Sequence, residues 1–146
     1  MEKRIAVFGG SFNPFTIGHA SIVERGLKLF DRIVIAVGVN INKPTDNYDN
    51  IAEKIRAVYK GNDAVKVVVW NGLMAELAQK EGAKFLIRGI RSVADFEYER
   101  NMADINRRIS GVDTVFLSAL PHLSDISSSV LRELEKYGFD TESLKA

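Results

Sequence analysis

Residues 5–19 read Ile5-Ala6-Val7-Phe8-Gly9-Gly10-Ser11-Phe12-Asn13-Pro14-Phe15-Thr16-Ile17-Gly18-His19, and this stretch decides the fold. The apolar run from Ile5 reads as a buried first strand ending at Val7 and Phe8. Gly9 and Gly10 lack a Cβ, so their backbone can take positive φ and bring N–H groups close to an anion. Ser11 adds a hydroxyl, and Gly18 lets a ligand approach the next element closely. Val23, Leu27 and Phe30 follow at i, i+4 and i+7, one face of a helix. His19 therefore falls near a helix N-terminus, where an imidazole N–H can meet a phosphate oxygen. Neither the dinucleotide fingerprint nor the lysine-bearing P-loop pattern is present. An ordinary strand-to-helix turn with a surface histidine is the alternative reading, and further sites have to decide between the two.

Outward from this stretch, strand and helix signals alternate. Lys3–Phe8, Ile33–Val39, Val65–Trp70, Phe85–Ile87 and Thr114–Leu117 are short runs rich in Val, Ile and Phe, the pattern of strands buried on both faces. Between them lie helical stripes: Ile51, Ile55 and Val58; Leu73 and Leu77; Tyr98, Met102, Ile105 and Ile109; Leu131, Leu134 and Tyr137. Strict alternation predicts an α/β fold, a doubly wound five-stranded parallel sheet with right-handed crossovers, as one domain over residues 1–146. Ligands in such folds bind at the carboxyl ends of strands, here Phe8, Val39, Trp70, Arg88 and Ser118. Asn40–Asn50, with Pro44, reads as one longer mobile loop.

Composition narrows the chemistry. The 146 residues are 46% hydrophobic, enough for a single core. Lys and Arg total 20 against 19 acidic residues, so no overall field favours nucleic acid or a membrane surface, and any anion site must be local. The absence of cysteine removes disulfides, thiolate metal sites and thiol catalysis, and two histidines are too few for a three-histidine zinc site. No run approaches a signal peptide or a membrane span, which predicts a soluble, cytoplasmic protein.

Two further sites converge on the same sheet edge. Arg88 and Arg91 flank Gly89 and Ile90 at a strand end, and arginine presents a permanently charged fork that matches phosphate oxygens. The competing reading pairs both with Asp95, Glu97 or Glu99. Ser124-Asp125-Ile126-Ser127-Ser128-Ser129 leads into the last helix, and hydroxyls at a helix start serve as caps or as phosphate ligands. Lys43, in the loop after the second strand, adds a cation.

The set Thr16-x-Gly18-His19, Arg88-Gly89-x-Arg91 and Ile126-Ser127-Ser128-Ser129 resembles the nucleotidylyltransferase superfamily with its T/H-x-G-H signature, of Rossmann-like fold. From Ala6 to about Asp140 the chain is similar to the bacterial phosphopantetheine adenylyltransferase family, with Ile87–Tyr98 the most specific stretch. That resemblance implies transfer of the adenylyl group of ATP to 4′-phosphopantetheine with Mg²⁺, giving dephospho-coenzyme A and pyrophosphate in coenzyme A biosynthesis. It implies catalytic roles for His19, Lys43 and Arg91, and contacts to ATP by Ser11, Phe12, Gly89, Ile90, Glu99 and the segment Leu123, Ser124, Asp125, Ile126, Ser127, Ser128 and Ser129. It places Ser11, Lys43, Met74, Arg88 and Asn106 at the acceptor, assigns no metal-ligating side chain, and implies a homohexamer. Departures from the family pattern are Asn13 where Asp is usual, a single Lys43 where many members have two lysines, Gly72 where an Asp often stands, and Leu123 and Asp125 in place of an aromatic pair. Two alternatives stay open at this point: a related nucleotidylyltransferase with another acceptor such as nicotinamide mononucleotide, and an inactive nucleotide-binding module.

Overall fold

In the computed structural model, which describes residues 2–43 and 46–146, the five apolar runs become the strands β1 (Ile5–Gly10), β2 (Arg32–Gly38), β3 (Val65–Trp70), β4 (Phe85–Ile90) and β5 (Asp113–Ser118). The helices are α1 (Ile17–Gly26), α2 (Tyr48–Val58), α3 (Met74–Lys80), α4 (Val93–Ser110) and α5 (Ser128–Lys136). All strand pairs are parallel, in the order β3-β2-β1-β4-β5. The order reverses direction between β1 and β4, and a crevice opens there at the carboxyl ends. The expected doubly wound α/β sheet is thus present. Among the described residues no helix is long and apolar enough to cross a membrane.

The period of two along the strands splits the core into two layers. Ala6, Phe8, Ile33, Ile35 and Val37 pack with Ile22 and Val23 of α1 and Ile55 of α2. Val7, Val34 and Ala36 face the other way, onto Leu77 and Ala78 of α3. Each fully buried Val, Leu, Ile or Phe among them contributes about 1.5–3 kcal/mol relative to exposure. Arg25 of α1 donates from Nη1 to the carbonyl of Ser118 at 2.7 Å, tying the helix to the end of β5.

Four expectations are corrected. β1 continues through Gly9 and Gly10, and β4 through Ile90, because the parallel ladder with β2 and β5 extends that far. The two glycines do not adopt positive φ; they are needed for space. A Cβ on Gly9 would stand 2.7 Å from Sδ of Met74, and one on Gly10 would stand 3.0 Å from the Phe12 ring. The expected loop Asn40–Asn50 is shorter, since α2 starts at Tyr48 with Asn47 as its cap; Pro44 lies outside the described residues.

The largest correction concerns α4. In its apolar stripe Tyr98, Met102, Ile105 and Ile109 are all exposed rather than packed into the core. The helix instead sets Glu99, Ala103, Asn106 and Ser110 against the sheet. These recur at three- and four-residue spacing, so the helix period was legible but the buried face was not. Toward the ends of their helices, Val58 and Tyr137 are likewise exposed, as is Leu73 at the start of α3.

Candidate active site

The crevice holds a cavity of about 270 Å³, bounded by the ends of β1 and β4, the first turn of α1 and the first turn of α5. A second cavity of about 290 Å³ lies on the opposite side of β1, between α3 and α4. Three residues line both: Gly9, Arg88 and Glu99. The two spaces therefore meet at a glycine and an ion pair.

His19 is fixed before any ligand arrives. Thr16 is the cap of α1, and the backbone N–H of Thr16 donates to Nδ1 of His19 at 2.9 Å. The amide of His19 in turn donates to Oγ1 of Thr16 at 3.3 Å, a reciprocal capping box with histidine in the position usually held by Glu or Gln. With Nδ1 occupied as an acceptor, the neutral ring carries its proton on Nε2. Phe15 stacks on the imidazole at 5.4 Å between centroids, and Phe12 meets it edge-on at 5.0 Å. Burial, followed by the positive charges of Arg88 and Arg91, lowers the His19 pKa from 6.5 to about 4. At neutral pH His19 is an uncharged N–H donor lining the first cavity.

Phe12 is the one non-glycine residue among those described with positive φ, at 49°. Its side chain is buried against Phe8 and Phe15. Such a backbone costs on the order of 1–3 kcal/mol and persists only where packing over-determines it. Here the aromatic cluster holds Ser11 at the cavity wall while the chain turns back toward α1.

The arginines are paired. Arg88 meets Glu99 side on, Nε to Oε2 at 2.9 Å and Nη2 to Oε1 at 2.8 Å, and its Nη1 donates to the carbonyl of Gly9. Arg91 lies 3.4 Å from Asp95, whose carboxylate also accepts the Arg91 amide. Arg132 of α5 lines the cavity too, donating to the carbonyl of Asn13 at 2.6 Å and to Oγ of Ser129 at 3.2 Å. At the start of α5, Ser127 caps by accepting from the Val130 amide, and Ser128 donates to the carbonyl of Pro14 at 2.7 Å. The hydroxyls are thus committed locally, and the amides of Ser128 and Ser129, which have no intrahelical acceptor, are the groups left for an anion.

The structure brings Ser11, Phe12, His19, Arg88, Gly89, Arg91, Glu99, Leu123, Ile126, Ser127, Ser128 and Ser129 to the first cavity, and Met74, Arg88, Glu99 and Asn106 to the second. Lys43, Ile90, Ser124 and Asp125 line neither. Lys43 is exposed on the loop after β2, where its carbonyl accepts from the Tyr48 hydroxyl at 2.7 Å. Sequence reasoning missed Thr16 as the clamp on His19, Arg132, and Tyr98, Met102 and Thr114 in the second cavity. Arg132 sits four residues after Ser128 and so shares the helix face that begins at the serines, a signal that was available.

Several known proteins are similar to this chain. The cytidylyltransferase-like family model matches residues 7–134. The phosphopantetheine adenylyltransferase of Porphyromonas gingivalis is 50% identical over 141 residues, covering 96% of this chain and 92% of the relative. That of Bacteroides thetaiotaomicron is 46% identical over 138 residues, covering 94% and 91%. A bifunctional NMN adenylyltransferase/ADP ribose pyrophosphatase from Francisella tularensis superposes with a TM-score of 0.71 at 16% identity, covering 99% of this chain and 45% of that one, and shares the fold. With a glycine-walled crevice, a clamped histidine and near-complete coverage of these relatives, the chain belongs to the cytidylyltransferase-like family and, within it, to the phosphopantetheine adenylyltransferases.

Proposed function

We propose that the chain transfers the adenylyl group of ATP to 4′-phosphopantetheine, forming dephospho-coenzyme A and pyrophosphate. The observation that carries this reading is the pair of cavities meeting at Gly9, Arg88 and Glu99. The nucleotide occupies the cavity lined by His19 and the start of α5, and the pantetheine arm occupies the one lined by Met74 and Asn106. Their phosphates then face each other across a residue with no side chain.

An oxygen of the acceptor phosphate attacks the α-phosphorus in line. The bond from that phosphorus to the bridging oxygen breaks, and its electron pair leaves with pyrophosphate. The nucleophile is already an anion, so no protein base is required; catalysis is alignment plus stabilisation of developing charge. The neutral Nε2–H of His19 donates to the phosphate oxygens as charge builds on the leaving group. Arg91 supplies a fixed positive charge beside the nucleotide, and Arg88 takes the acceptor phosphate by exchanging it for Glu99. Lys43 stands exposed on the loop after β2 and lines neither cavity, so in this reading it meets that phosphate only once the loop moves inward.

Magnesium belongs to this reading as the counter-ion of the triphosphate. Among the described residues no group of three His, Asp or Glu side chains could hold a metal ion, and the two carboxylates at the nucleotide cavity are engaged by arginines. The donor set does not fit a resident metal, and MgATP is the substrate. A cytoplasmic homohexamer, which the resemblance implies, completes the reading, and the exposed apolar face of α4 offers such an assembly a surface to bury.

Pyrophosphate release by the purified protein with MgATP tests the assignment. Release that depends on 4′-phosphopantetheine is the expected result. Release only with nicotinamide mononucleotide transfers the chain to another acceptor, and silence with both leaves a binding module.

A further inference from the structure

His19 owes its orientation to Thr16, and Thr16 is held from outside by residues 141–146. Thr16 is completely buried and forms an antiparallel bridge with Lys145. The amide of Ala146 donates to the carbonyl of Phe15 at 3.1 Å, and Phe15 is the ring stacked on His19. The strap is clipped in turn to α5. Lys145 Nζ lies 3.1 Å from Glu135 and 3.0 Å from Glu142, and Glu135 also accepts from the buried Thr141 hydroxyl at 2.6 Å. One lysine thus joins, by its backbone, the loop that clamps His19 and, by its side chain, the helix whose first turn lines the same cavity.

From this geometry we infer that Lys145 is a positioning residue for His19, keeping the imidazole in the tautomer with its proton on Nε2. The inference rests on the adenylyl-transfer reading for its kinetic consequence, but not for its spectroscopic one. Exposed ion pairs contribute little singly, so loss of the Lys145 side chain loosens the strap in part, whereas loss of the Ala146 amide removes a direct bond to the loop. Lys145 has φ −89° and ψ 147°, a conformation that a following proline accepts, so Ala146→Pro deletes the donor with no clash imposed on Lys145.

The test uses the full chain and two variants, Lys145→Ala and Ala146→Pro, with Lys145→Arg as the conservative control. Long-range ¹⁵N–¹H spectra of the imidazoles, simplified by there being only two histidines, read the His19 tautomer without ligand. The parent chain and Lys145→Arg should show Nε2–H alone. Lys145→Ala and Ala146→Pro should show mixed tautomers, with kcat lowered on the order of tenfold and ATP affinity within about twofold of the parent. A single unchanged tautomer in Lys145→Ala overturns the inference, whatever Ala146→Pro shows and even if kcat or melting temperature falls, because that is merely structural loosening. Absence of adenylyl transfer by the parent chain would instead overturn the functional reading, and the tautomer would still decide the role of Lys145.

Discussion

Arg88 and Glu99 form a two-pronged ion pair, 2.8 and 2.9 Å between atoms, at the seam of the two cavities. On the proposed reading, Glu99 therefore occupies the fork that the acceptor phosphate would take. Glu99→Gln should tighten 4′-phosphopantetheine binding in the absence of ATP by about three- to tenfold, in keeping with the modest strength of a partly exposed pair. Arg88→Ala should weaken it. Calorimetric titration with the acceptor alone measures both, and weaker binding by Glu99→Gln would remove the carboxylate as a competitor.

His19→Ala should lower turnover on the order of a hundredfold or more while leaving ATP affinity largely intact, the signature of a donor used in the transition state. Single-turnover rates and an ATP dissociation constant separate the two effects. Near-normal turnover would take His19 out of the mechanism.

The depressed pKa of His19 also ties stability to pH. In the unfolded chain the imidazole takes up a proton near pH 6.5, whereas in the folded protein it resists until about pH 4. The contribution of this group is full above pH 6.5 and is lost as pH falls toward 4, amounting to about 1–2 kcal/mol at pH 5. Urea unfolding at pH 7 and pH 5 should show a loss on acidification that is smaller by this amount in His19→Asn. Equal losses in parent and variant would mean that the folded imidazole titrates normally. On the same grounds, activity should show no acidic limb near pH 6.5 from this residue.

Gly9→Ala places a methyl 2.7 Å from the sulfur of Met74. Methionine is unbranched and can swing aside, so the fold should lose little stability. Met74 lines the cavity proposed for the acceptor, however, and its displacement should raise the KM for 4′-phosphopantetheine severalfold with the KM for ATP nearly unchanged. An equal rise in both would show that the glycine serves the two cavities alike.

The outward stripe of α4 should matter for assembly. Ile109 is 54% exposed and lines neither cavity described above. Ile109→Glu should reduce the mass seen by light scattering below that of the parent while leaving circular dichroism unchanged. A parent chain that runs as a monomer would remove the hexamer from the proposal.

Much of this architecture was legible in the sequence, and the failures are instructive. Val65–Trp70 was read residue for residue as β3, because β-branched runs bounded by polar turns have few other uses. His19, Arg88, Arg91 and the serines at the start of α5 are legible because each stands at or beyond the end of a strand, and parallel sheets gather strand ends in one place. The buried face of α4 was misread for a physical reason. Its inner stripe carries Glu99 and Asn106, polar groups that face a cavity rather than a core, and hydrophobic periodicity points away from such a surface. The Thr16 clamp was hidden as well, since a backbone N–H bonding a side chain three residues on leaves a threonine and a histidine that look like any cap.

The two cavities lie on opposite faces of one sheet and touch only where a glycine and an ion pair stand. On the proposed reading, donor and acceptor are recognised largely by separate layers of the molecule, α1 and α5 for one, α3 and most of α4 for the other. Mutations can remodel the acceptor layer without disturbing the clamped histidine, so such a scaffold can change the molecule it adenylylates while the chemistry of the phosphate exchange is inherited intact.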